Sequence, residues 1–300
     1  MKVYKNEKAK KRVLDTYDKL LEMWNVDKEE RDIQTTYGMT HVILCGNKSN
    51  PPLVLFHGVG DNSALMWIFN AEFLARHFWV IAIDTIGGPG KSIPNENYNK
   101  DFDGIIWIDE VLKELGIDEI FIAGTSNGAY LAQYYGVYRP YRIRKIICMA
   151  GGVPDSSFSS KKAMVAMMRV FLPEALFPTL NNMNKLIKKL SGKNSMVFTS
   201  NIAIMEHYQA LLKGFNNMAM RYHNLIGFND SQIDLIRNKT LYLLGEADPF
   251  VEKGGQDIFI QSGLKALFFP DVGHGINHEI ADEVNAIFLD FLLPEVKNVE

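Results

Sequence analysis

The sequence predicts an α/β protein with a mostly parallel, eight-stranded sheet, flanking helices and one inserted helical cap. Three observations lead there. Solid apolar runs at 51–58, 78–85, 117–124, 143–150, 240–248 and 264–271 read as strands buried on both faces. Stretches of helical spacing, about 63–76, 101–115 and 127–138, separate the earlier runs, which implies parallel pairing through right-handed crossovers. From 154 to 235 the rhythm stops: no buried-type strand recurs, and Pro173, Pro178, the turn at 191–194 and Gly214 break the segment into helices.

Composition narrows the class. A chain of 300 residues suits one such core carrying an insertion. With 47% hydrophobic and 22% charged residues it reads as a soluble globular protein rather than a disordered one. A formal charge of −3 gives no reason to expect nucleic-acid binding. Cys45 and Cys148 sit in apolar strand runs, so they read as buried thiols in a reducing cytoplasm. No Cys/His cluster has zinc-ligand spacing, and neither a metal nor a cofactor is expected.

Four segments follow in order. Residues 1–30 hold a helix whose apolar positions, Val13, Leu14, Tyr17, Leu20, Leu21 and Trp24, form one face that packs on the core. The start lacks the apolar centre of a secretory signal, and no run is long enough to span a bilayer. Residues 31–153 are the first part of the core and open with two antiparallel strands turning at Tyr37-Gly38-Met39. Residues 154–235 are the helical cap, with eight of the 13 methionines and nine Lys/Arg against five Asp/Glu. Residues 236–300 complete the core and end in a helix over INHEIADEVNAIFLDFLL.

Within the cap, Met164, Met167 and Met168 lie on a helical stretch from Lys161 to Phe171. One side of that stretch cannot be solvated without exposing a large apolar patch, so it is expected to face the core, the cap interior or a pocket. In the last case the flexible thioethers would form an adaptable substrate wall.

The sharpest motif is Gly124-Thr125-Ser126-Asn127-Gly128, directly after one strand and before a helix. A strand turning sharply into a helix strains its pivot residue, and the flanking glycines let backbone approach without a Cβ clash. The hydroxyl is thereby raised at the carboxyl edge of the sheet. By contrast, Gly87-Gly88-Pro89-Gly90-Lys91-Ser92 only imitates a phosphate loop, since two residues rather than four separate Gly87 from Gly90.

The chain resembles the α/β-hydrolase-fold serine hydrolases, in their capped, esterase-like branch, over about residues 32–292. The resemblance rests on His57-Gly58 after a buried strand, on Asp84 with the glycine-rich turn, on the Ser126 elbow, and on a late acid and histidine. It implies Ser126 as nucleophile, His274 as base and Asp248 as the acid that orients it, in the family's chain order. Glu246 and Asp155 are alternatives for the acid, and His278 is the rival base. His41 and His77 read as surface or edge residues, and His207 and His223 as packing or solvent residues of the cap. The backbone amides of Val59 and Asn127 would form the oxyanion hole.

The implied function is hydrolysis of small carboxylic esters through an acyl-enzyme. The partner is then a small-molecule ester or acyl substrate. Carbon–carbon bond hydrolases and lactonases use the same triad. A non-catalytic receptor on this fold would be signalled by a missing triad residue, and none is missing.

Overall fold

The computed structural model describes residues 2–155, 160–251 and 255–294. The chain enters through α1 (Glu7–Glu22), capped by the side chain of Asn6, which accepts the amide of Ala9 at 2.8 Å. A hairpin follows, β1 (Lys28–Thr35) and β2 (Gly38–Cys45). Gly38 has φ 128, and a Cβ there would lie 2.2 Å from the carbonyl oxygen of Ile93, so only glycine fits. Then come β3 (Pro52–Phe56), α2 (Ser63–Met66), α3 (Ala71–His77), β4 (Trp79–Ile83), β5 (Ile93–Pro94) and α4 (Gly104–Glu114). β6 (Ile120–Thr125), α5 (Asn127–Tyr138) and β7 (Ile143–Met149) complete the first part.

The insertion contains α6 (Ser160–Ala175), α7 (Leu180–Leu190), α8 (Met196–Thr199) and α9 (Ile202–Gly214), followed by α10 (Asp230–Arg237). The chain returns to the sheet through β8 (Thr240–Gly245), α11 (Gly255–Gln261), β9 (Lys265–Phe269), α12 (Ile276–Glu279) and α13 (Ala281–Leu292). The sheet order is β1-β2-β4-β3-β6-β7-β8-β9, with the two-residue β5 added against β2. From β4 to β9 every pairing is parallel, whereas β2 runs antiparallel to its neighbours. This is the α/β-hydrolase architecture, with α6–α9 as its helical cap.

The central strands alternate between two cores, as the period of two requires. Leu53, Leu55, Val80, Ala82, Ile147 and Met149 pack with α1, α3, α9 and α13 on one face. Val54, Phe56, Ile81, Ile83, Ile146 and Cys148 pack with α4 and α5 on the other. α10 joins this second layer through Ile233 and Ile236, packing against α5.

Several local expectations are corrected. The helix expected over 63–76 is two helices, because Trp67 to Asn70 turn and Asn70 is buried, donating to Asn285 at 2.9 Å. The last helix breaks at Ile280, whose backbone (φ −131, ψ 48) is not helical. His41 is no surface residue: it is 5% exposed, and its ring bonds Asp32 at 2.7 Å and Glu30 at 3.0 Å. The register explains this, since Asp32 stands directly opposite His41 and Glu30 diagonally. Cys45 and Cys148 are buried and free. No helix among the described residues is long and apolar enough to cross a membrane.

His207 and His278 are buried as neutral rings, and the half-buried His223 is neutral with them. His207 Nε2 accepts from Asn62 Nδ2 at 2.8 Å, so the proton sits on Nδ1 and is donated to Thr16 Oγ1 at 2.8 Å. This ring joins α9 to α1 and to the loop after β3. Burial lowers its pKa to about 3. His223 donates to the carbonyl of Ile86 and His278 to that of Leu65, and burial lowers each to about 4. An unfolded histidine binds its proton near pH 6.5, above the folded values, so the unfolded state takes up protons first as pH falls. Stability is therefore full above pH 6.5 and is lost towards pH 4, by on the order of 1 kcal/mol per histidine per pH unit. Calorimetry across this range checks it: Tm should be flat above neutrality and fall steadily below about pH 6.5. A Tm independent of pH down to about 4.5 would contradict the neutral burial of these rings.

Candidate active site

β6 delivers Ser126 to the start of α5 with φ 56 and ψ −116, a conformation that a residue with a side chain adopts only under constraint. The constraint is visible on both sides. A Cβ on Gly124 would lie 2.2 Å from the carbonyl carbon of Gly128, and one on Gly128 would lie 2.2 Å from the oxygen of Phe56. The amide of Ser126 donates to Met149 O at 2.8 Å. Three strands and the helix thus grip the elbow, and no larger residue fits at either glycine.

The loop after β3 passes over this elbow, and a Cβ on Gly58 would stand 3.5 Å from Ser126 Cβ. His57, wholly buried, donates through Nδ1 to Gly58 O at 2.8 Å and accepts through Nε2 from the amide of Thr85 at 2.9 Å. Both ring nitrogens are occupied, so His57 shapes the loop rather than moving protons. Further along, the buried Asp84 accepts the amides of Ser63 at 3.0 Å and Lys91 at 2.7 Å. A Cβ on Gly90 would fall 2.2 Å from Asp84 Oδ2. The glycine-rich turn is therefore wrapped around a protein carboxylate, which accounts for its composition without a phosphate. Among the described residues no acceptor in the chain takes the amide of Val59 or of Asn127. Asn127 opens α5, where the helix dipole favours negative charge.

β8 and β9 are parallel neighbours, so the loops that follow them lie side by side. His274 Nδ1 donates to Asp248 Oδ2 at 2.7 Å, which leaves Nε2 free. Asp248 is 4% exposed, and its Oδ1 accepts the amide of Phe250 at 2.9 Å. Glu246 is exposed on the same loop, Asp155 follows β7, and His278 spends its Nε2 on Leu65 O at 3.0 Å. Ser126 is on the same edge of the sheet. Among the described residues no hydrogen bond joins its hydroxyl to His274. Nor does any group of three or more His, Cys, Asp or Glu among them form a metal site.

The sequence reading missed what surrounds the imidazole. The turn after α7 crosses the His274 loop at backbone contact: His274 N donates to Leu190 O at 2.6 Å, and Lys193 N to Asp271 O at 2.8 Å. Gly192 and Gly273 permit the crossing, since a Cβ on either would strike the other segment. Glu279 clasps the two segments, accepting the amide of Gly192 at 2.7 Å and that of Gly273 at 3.0 Å. It is 6% exposed, and burial raises its pKa against the opposing pull of those two amides. Only the two glycines hinted at this contact. Phe250 meets the His274 ring edge-on at 5.0 Å, and Phe171 of α6 stacks on Phe250 at 6.3 Å.

Met167 and Met168 fall within about 60° of Phe171 around the helix, so they share its side. They are 38% and 47% exposed, and neighbouring Val165 is 44% exposed. The expectation that this side is covered is thus corrected: α6 leans on the body through Phe171 and leaves an open apolar margin beside it. The side chain of Met164 lies outside the described residues.

A family model described as alpha/beta hydrolase fold matches residues 51–279. Carboxylesterase YbfK of Bacillus subtilis (strain 168) is 31% identical over 149 residues, 50% of this chain and 49% of that protein. The protein named Uncharacterized carboxylesterase nap, from the same strain, is 33% identical over 133 residues, 44% of each. These matches span about half the length of the two relatives. A 2-hydroxy-6-oxononadienedioate/2-hydroxy-6-oxononatrienedioate hydrolase of Klebsiella pneumoniae is 25% identical over 289 residues, 89% of this chain and 94% of that protein. The crystal structure of carboxylesterase CesB (YbfK) from Bacillus subtilis has a TM-score of 0.78 at 24% identity, covering 96% of this chain and 99% of that one. Naproxen esterase from the same species gives 0.79 at 23%, with the same coverage. At these identities the structures speak for the fold. With the matched region running from β3 through the elbow to the end of the His274 loop, the chain belongs to the alpha/beta hydrolase fold family.

Proposed function

We propose that this protein is a serine hydrolase that cleaves small carboxylic esters through an acyl-enzyme. One observation carries the reading: a strained serine at the tip of β6 shares a sheet edge with His274, which the buried Asp248 holds and whose Nε2 is free. His274 Nε2 takes the proton of Ser126 as Oγ attacks the ester carbonyl. Asp248 holds the tautomer and stabilises the imidazolium that forms. The amides of Val59 and Asn127 bind the oxyanion. Collapse expels the alcohol, which receives the proton from His274. Water, activated by the same imidazole, then releases the acid.

The likeness to YbfK and nap supports esters. The Klebsiella relative, matched along almost its full length, supports a second reading, hydrolysis of a carbon–carbon bond in a ring-cleavage product. A panel of acetyl to decanoyl esters with one such dienedioate separates the two. Cytoplasmic placement fits the free, buried thiols of Cys45 and Cys148.

Ser126→Ala should abolish fluorophosphonate labelling and lower kcat by at least about 10³-fold with the fold intact. Asp248→Asn should cost roughly 10²–10⁴-fold. Labelling that persists in the serine variant assigns the nucleophile elsewhere. For Glu279→Gln, which places an amide against an amide at one arm of the clasp, kcat per labelled site should fall about tenfold while KM moves less than about threefold. Unfolding would instead lower the labelled fraction, and an unchanged kcat would make the clasp dispensable. We assign Met167 and Met168 to the approach to the site, because they share the side of α6 that carries Phe171. Alanine at either should shift the long-chain to short-chain ratio of kcat/KM, each buried methylene being worth about 0.8 kcal/mol. A constant ratio across the ester panel removes them from the substrate path.

A further inference from the structure

The α6–α7 hairpin ends in a stretch with three large apolar side chains in five residues, each mostly in solvent: Leu176 is 64% exposed, Phe177 70% and Leu180 60%. Among the described residues none covers them. α7 buries Met183, Leu186 and Ile187 on its inner side, and the hairpin is held from within by Glu174, 7% exposed and paired with Lys189 at 2.7 Å. The tip therefore projects beyond a packed base. On α6, Phe171 lies between this tip and the exposed Val165, Met167 and Met168, and it stacks on Phe250, which meets the His274 ring. An apolar rim that leads to a nucleophile's neighbour is poorly explained by random surface composition.

Charge identifies what the rim meets. Between residues 160 and 190 the sequence has six Lys/Arg and one Asp/Glu, in a chain of net charge −3. The one acid is the buried Glu174, while Arg169, Lys185 and Lys188 are exposed. Placed hairpin to hairpin, a second copy of this chain would set like charge against like charge. An anionic lipid surface offers both an apolar interior for Leu176, Phe177 and Leu180 and headgroup charge for the lysines. We propose that the α6–α7 tip is a docking surface for anionic lipid, which seats the mouth of the site against a membrane or micelle. Docking goes beyond the esterase reading and does not depend on turnover.

The test separates the two. Binding is measured on full-length Ser126→Ala protein by co-sedimentation with vesicles of phosphatidylglycerol mixed into phosphatidylcholine, and with phosphatidylcholine alone. Association with the anionic vesicles should be at least about tenfold tighter, and should weaken as salt screens the lysines. Leu176→Ser/Phe177→Ser/Leu180→Ser, and separately Lys185→Glu/Lys188→Glu, should each reduce it about tenfold or more. The same changes in protein with Ser126 present should leave hydrolysis of a monomeric short-chain ester unaltered, which reports an intact fold. Equal binding to both vesicle types, or unchanged binding by the triple variant, overturns the proposal. So does a dimer in solution that the triple variant dissolves, since the tip then belongs to a second copy of the chain.

Discussion

Holding Ser126 at φ 56 costs about 1–3 kcal/mol, and the centre of the molecule is arranged around that constraint. Strain of this kind survives only where its surroundings leave no alternative. β3 supplies the carbonyl of Phe56 against Gly128, β7 supplies the acceptor for the amide of Ser126, and the backbones of Gly124 and Gly128 touch. These contacts require the parallel order β3-β6-β7 and its register, and they place the loops after β3, β6, β8 and β9 on one edge. The sheet is thus less a container for the site than the clamp that makes its conformation possible.

Buried polar groups extend the clamp outward. Asp84 draws together the amides of the loop after β3 and the glycine-rich turn, and Asn62 in that loop also holds Pro89 O at 3.1 Å. Through His207 the same asparagine reaches α9 and, by way of Thr16, α1. The amino-terminal helix therefore braces the cap and the loop after β3 together, beyond covering the sheet. On the opposite side Glu279 performs an equivalent junction between the cap and the His274 loop. In each case a side chain accepts or relays hydrogen bonds that would otherwise leave buried groups unpaired, which is the larger part of their energetic value.

The parts of this arrangement that were legible in the sequence are those written in local pattern. Apolar runs located the strands, and the glycine spacing around Ser126 marked the elbow because a tight turn needs glycine at fixed offsets. Asp248 and His274 were placed by the family resemblance, each in the loop after a strand run, and the structure pairs them. Glu279 was not, because its partners are brought in by chain folding: Gly192 is 87 positions away. His41 was misread for the same reason. Its burial follows from the register of β1, which sets Asp32 opposite, and periodicity in one strand carries no register. The open margin of α6 was misjudged because amphipathic spacing tells which side is apolar without telling what covers it.

These attachments divide the cap into regions of different character. Its later half is bound on two sides, by His207 under α9 and by the backbone crossing at residues 190–194, with Glu279 and the Lys193–Asp271 ion pair reinforcing the crossing. Its earlier half meets the loop after β8 through Phe171 on Phe250, a contact between rings. Polar contacts between backbones fix geometry tightly, whereas stacked rings permit sliding at modest cost. The firm attachments hold the His274 loop. The softer one borders the open apolar margin of α6. Under the proposed function, a cap built in this order would vary in what it admits without disturbing the imidazole that its other end secures.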